Sequence, residues 1–113
     1  MAISGVVIRR RVDDLDSAVA FYERLCGRAA RRFGLRGAEL ATVGPFLLFS
    51  APEHVGDRLE NVAATLTVDD LVAHEALLRS LGAQIIAPIA ETPNGRRLVA
   101  RHPDGAVFEY VGR

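Results

Sequence analysis

Few residues in this 113-residue chain carry side chains suited to chemistry, and they are spread thinly. The three histidines fall in three kinds of segment: His54 in a polar linker, His74 in a helical stretch, His102 in a turn. A metal site needs several donors converging, and this spacing does not supply a cluster. Cys26 closes an apolar stripe with no histidine near it in sequence, so it reads as a small core hydrophobe rather than a nucleophile. Gly95, Pro103 and Gly105 are turn residues, too sparse to cradle a phosphate. Arg9-Arg10-Arg11 sits at the end of a β-branched run. Period-2 alternation cannot send three consecutive arginines to one face, so at least one points to the packed side. Arg10 is expected to be that one, snorkelling or salt-bridged.

The elements that must position these groups come as a repeat. Val12-Asp13-Asp14-Leu15 returns as Val68-Asp69-Asp70-Leu71, at an offset of 56 residues. Each copy closes a β-branched run and opens a helical stretch that stops at a glycine, Gly27 and then Gly82. One supersecondary unit copied once, each half leaning on the other, is the physical reading. In the first half, Gly5–Val12 reads as a strand and Asp14 as a helix N-cap. Leu15, Ala18, Val19, Tyr22, Leu25 and Cys26 form one apolar stripe, with Phe21 and Tyr22 expected in the core. Ala29–Phe33, Ala38–Val43 and Phe46–Ser50 read as strands.

Residues 51–60 are polar and punctuated by proline and glycine, and read as a linker between modules of about 5–50 and 61–111. In the second half, Val62–Val68 is a strand and Leu71–Leu81 a helix with Leu71, Leu77, Leu78 and Leu81 as its apolar set. Ala83–Ile89, Arg96–Arg101 and Ala106–Val111 complete the strands. The pattern is βαβββ twice, an α+β single domain spanning 1–113. Sheets of this kind carry helices on one face and leave the other for a ligand or partner.

Composition bounds the function from the other side. Half of the residues are hydrophobic and a quarter charged, as in an ordinary soluble globular protein. Basic and acidic residues both total 14, so no net field favours nucleic acid or an anionic membrane. A lone cysteine fits a reducing compartment, the N-terminus lacks a signal-peptide layout, and no apolar run approaches ~20 residues. A cytoplasmic protein is expected.

Two motifs extend the repeat into a family resemblance. Asp14-Leu15-Asp16-Ser17-Ala18-Val19-Ala20-Phe21-Tyr22 opens the first helix, and Pro93-Asn94-Gly95-Arg96 followed by Pro103-Asp104-Gly105-Ala106-Val107-Phe108-Glu109 closes the chain. Together they resemble the vicinal oxygen chelate superfamily of glyoxalases, extradiol dioxygenases and fosfomycin- and bleomycin-resistance proteins. The resemblance implies two βαβββ modules around a half-open cleft, and a homodimer. In metal-dependent members, each half supplies ligands from its first and last strands. Counted onto this chain, those positions are Val7, Leu48, Ala63 and Glu109, of which only Glu109 can coordinate a metal.

The resemblance therefore implies a member without a metal or other cofactor, similar to the family's bleomycin- and mitomycin-binding proteins. Its expected role is capture of a small apolar or aromatic molecule in a dimer cleft. The expected lining is Val7, Arg9, Arg11, Phe46, Leu48, Ala63, Thr65, Val107 and Glu109, with the arginines and Glu109 fixing orientation. No catalytic residue is assigned, although Glu109 could serve as a general base. A lyase, isomerase or dioxygenase of the same superfamily, or an interaction module with a filled cleft, are the alternatives.

Overall fold

The computed structural model of the protein describes residues 2–53, 61–92 and 95–112. In chain order the elements are β1 (Ile3–Arg11), α1 (Leu15–Cys26), β2 (Arg31–Leu35), β3 (Ala38–Val43), β4 (Phe46–Ser50), β5 (Thr65–Val68), α2 (Leu71–Ser80), β6 (Gln84–Thr92), β7 (Gly95–Arg101) and β8 (Val107–Gly112). The contacts group into two units, Met1–Val7 with Val62–Arg113, and Ile8–Asn61. Among the described residues no helix is long and apolar enough to cross a membrane.

In the unit of residues 8–61, α1 has the bounds that its stripe predicts. Asp14 caps it: Asp16 and Ser17 donate backbone N–H groups to Oδ1, and the Ser17 hydroxyl donates to Oδ2 at 2.7 Å. Those hydrogen bonds hold the Asp14 carboxyl below its ordinary value. A depressed carboxylate stabilises the fold above its unfolded value, and the benefit disappears as pH falls through the lowered folded value. Asp14→Ala is therefore expected to lower the melting midpoint by a few degrees near neutral pH. Thermal melts of the two proteins should converge only on the acid side of the usual aspartate range.

Gly27 ends α1 at φ 65, and its N–H donates to the Glu23 carbonyl. The Ala30 N–H then donates to Glu23 Oε2 at 2.6 Å, tying the chain to α1 before the next strand begins. This explains why β2 starts at Arg31 instead of the expected Ala29. It continues to Leu35 because Arg36 and Gly37 both take positive φ (51 and 84) and close a two-residue hairpin into β3. The strand order is β2-β3-β4-β1, with β1 parallel to β4 and the other pairs antiparallel. Leu15 and Val19 of α1 pack with Ala41, Val43 and Leu48, and Phe46, Tyr22 and Cys26 surround them.

The unit of residues 1–7 and 62–113 repeats the plan. β5 pairs parallel with β8, followed by antiparallel β7 and β6, and the first residues of β1 lie antiparallel to β5. A bulge between Ile3 and Gly5 changes the alternation of β1, so Ile3 and Val6 face the same side as their partners Val68 and Leu66. α2 is capped by Asp70, whose side chain accepts from the Ala73 N–H. It packs on β6, β7 and β8. Leu71, Leu78, Val68, Leu98, Ala100 and Tyr110 form the core there.

Alternation then sorts the candidate residues by face, and several expectations change. Phe46 and Leu48 lie in the core under α1, whereas Arg9, Arg11, Leu47 and Phe49 belong to the opposite face of that unit's strands. Leu48 is completely buried. The expectation that Phe46 and Leu48 line a ligand cleft is thereby corrected. Arg10, expected on the packed side, is exposed, while Arg9 and Arg11 are half-buried. The reason is that α1 lies on β3 and β4, which leaves the Arg10 side of β1 open. Phe21, Leu25 and Leu81 are about 60–65% exposed and so are not core residues.

Candidate functional site

The helix-free face of the unit containing β5 to β8 brings polar groups together at one point. Register aligns Val7, Thr65, Glu109 and Val99 as successive cross-strand partners on β1, β5, β8 and β7. The next row carries Thr67, Val111 and Arg97. Glu109 is at the centre, with a side chain 19% exposed. The hydroxyl of buried Thr65 donates to Glu109 Oε1 at 2.9 Å. The Arg97 Nε stands 3.9 Å from Oε2, the diagonal distance that long side chains span on a sheet. A half-buried carboxylate is thus held by one hydroxyl and one guanidinium in an aliphatic frame of Val7, Val99 and Val107. The chemical capacity of such a group is to accept a hydrogen bond from a ligand that displaces water.

Of the expected site residues, Val7, Thr65, Val107 and Glu109 come together on this face. Ala63 precedes β5, exposed, with its N–H donating to the Val107 carbonyl at 2.7 Å. Arg9 and Arg11 belong to the other unit. The ion-pair partner of Glu109 is Arg97, which the sequence did not single out; its signal was the Gly95-Arg96-Arg97 strand start, where alternation selects the second arginine.

Strand register also refines the counterpart of Glu109. Thr65 pairs with Glu109, and the 56-residue offset carries Thr65 to Arg9, which pairs with Leu47. Leu47, one residue from the expected Leu48, is the matching position, and a slip of one residue changes the face.

The donor set does not fit a divalent metal. Val7, Ala63 and Leu47 offer no N, O or S side-chain donor, and the one carboxylate is already engaged by Thr65 and Arg97. Among the described residues no three His, Cys, Asp or Glu side chains cluster to hold an ion. His54 and the Pro93-Asn94 pair lie outside the described residues. His74 and His102 are on the helix side of the sheet, away from Glu109: His74 within α2 and His102 against Phe108 and Tyr110.

Comparison with known proteins bears on family and fold. The model of the Glyoxalase/Bleomycin resistance protein/Dioxygenase superfamily matches residues 6–110. An uncharacterized protein from Methanosarcina mazei is 37% identical, with a TM-score of 0.92, covering 100% of this chain and 94% of that one. Methylmalonyl-CoA epimerase from Mycobacterium tuberculosis is 21% identical at a TM-score of 0.72, over 97% and 88% of the two chains. The Mn(II)-bound glyoxalase from Novosphingobium aromaticivorans is 19% identical at 0.61, over 97% of this chain and 39% of that one. The last two likenesses establish fold alone. No curated protein matches the sequence.

Proposed function

The chain belongs to the Glyoxalase/Bleomycin resistance protein/Dioxygenase superfamily, and on that premise we propose that it captures a small, mainly apolar organic molecule without a metal ion. The site is the Thr65–Glu109–Arg97 group, with Val7, Val99 and Val107 as its apolar walls. One observation carries the reading: Glu109, which the resemblance puts at a metal-ligand position, has a hydroxyl and a guanidinium as partners instead of further metal donors. Such a site binds by burial of the ligand's apolar surface, and Glu109 orients it by accepting an N–H or O–H hydrogen bond.

We place the protein in the cytoplasm as a homodimer. The exposed Ile3 and Val6 of β1, each about half accessible, support association.

Thermal melts in chelator against a panel of small aromatic compounds test the proposal. A ligand at a hundred times its Kd should stabilise the protein by about 2.7 kcal/mol. Glu109→Gln, which keeps the shape and removes the charge, should weaken that ligand roughly 10- to 100-fold. Equal shifts in the wild type and Glu109→Gln would refute the assignment.

A further inference from the structure

A groove lies on the helix side of the same unit, away from Glu109. It measures about 460 Å³ and is bounded by Ile3, by Leu77 of α2 and Leu81 just past its end, and by Ala83 and Pro103. That volume falls within the range of small-ligand pockets. Its polar lining is His74, His102, Asp104 and Tyr110. Leu81, at the rim, is 65% exposed, so the mouth is open to solvent.

His74 is the unusual member. It is only 5% exposed, and its Nδ1 stands 3.1 Å from the Asp70 carbonyl. A carbonyl can only accept, so Nδ1 carries the hydrogen, and in the neutral ring Nε2 is left as a lone-pair acceptor. That nitrogen has no hydrogen-bond partner among the described residues, although its ring lines the groove. Although the residue is buried, this nitrogen keeps access to the groove, where a donor from water or a ligand can reach it. Across the groove, His102 stacks on Phe108 at 4.4 Å, and its Nε2 lies 2.6 Å from the Tyr110 hydroxyl. This pairing fixes both rings as a rigid wall, and burial raises the Tyr110 phenol above its ordinary value, keeping it protonated.

We propose that this groove is a second binding site, for a flat aromatic molecule bearing one N–H or O–H donor. The donor meets His74 Nε2, and the ring lies between the aliphatic face of α2 and the His102–Tyr110 wall. Nothing in this inference depends on the Glu109 site, and its test reads different residues.

Indole and 1-methylindole separate the donor from the grease. In two-dimensional NMR titrations, indole should shift the His74 and His102 ring protons and the amides of Leu77, Leu81 and Ala83 saturably. 1-Methylindole, which lacks the N–H, should bind at least tenfold more weakly. His74→Phe should abolish that difference between the two probes. Leu81→Asp, at an exposed rim position, should weaken both probes while leaving the fold intact, and so provides a check if His74→Phe does not fold. Equal affinity for the two probes, or no shift at those residues up to the solubility limit of indole, would overturn the proposal.

Discussion

Leu48→Ala is expected to destabilise the protein by about 2–5 kcal/mol and to leave the ligand affinity of the folded fraction unchanged. Leu48 is fully buried in the cluster made by Leu15, Val19, Ala41 and Val43 beneath α1. Truncation removes the transfer free energy of three carbons and leaves a cavity, because β4 is hydrogen-bonded on both sides and cannot close in. Urea denaturation would show a lower midpoint with an unchanged slope. The same substitution would have been a binding-site variant had Leu48 faced the ligand. A large loss of affinity without a loss of stability would therefore contradict the face assignment.

Gly112→Ala is expected to cost roughly 1–3 kcal/mol, through overpacking instead of a cavity. A Cβ added at Gly112 would collide with the Val68 carbonyl oxygen and come within 3.2 Å of Val68 Cγ2. Gly112 pairs with Val68 on one side and with Arg96 on the other, so β8 cannot retreat without giving up a ladder. Val68 also belongs to the core cluster, which couples the clash to α2 packing. Gly5→Ala is the control, since its nearest neighbour, Thr67, would be 3.6 Å from the new carbon, an ordinary contact. Its midpoint should stay close to that of the wild type, while that of Gly112→Ala falls.

The architecture was legible because its signals are local. The duplicated Val-Asp-Asp-Leu, the Asp14 cap and the Gly27 stop predict α1 at its observed bounds, and β3 and β4 also match. What escaped the sequence depends on which side of a sheet a helix covers. Leu47 and Leu48 are the same residue type one position apart, and only strand register separates the core under α1 from the opposite face. Alternation alone would put Arg10 on the packed side, but α1 covers β3 and β4 instead of β1. Arg97 was missed because its approach to Glu109 is a diagonal contact between β7 and β8, which no spacing along the chain encodes. His74 was legible as a helix residue but not as a buried groove residue, since that depends on Ile3 and Pro103, distant in sequence.

In the proposed function Glu109 works with Thr65 and Arg97 on a ligand rather than on a metal ion. Amide NMR titration of the most stabilising aromatic compound, in chelator and then with added Mn²⁺ or Zn²⁺, tests it most directly. Saturable shifts at Thr65, Arg97, Val99 and Glu109 are expected in chelator, unchanged by the metals and lost in Glu109→Gln. Shifts at those residues that arise only after the metal is added would contradict it.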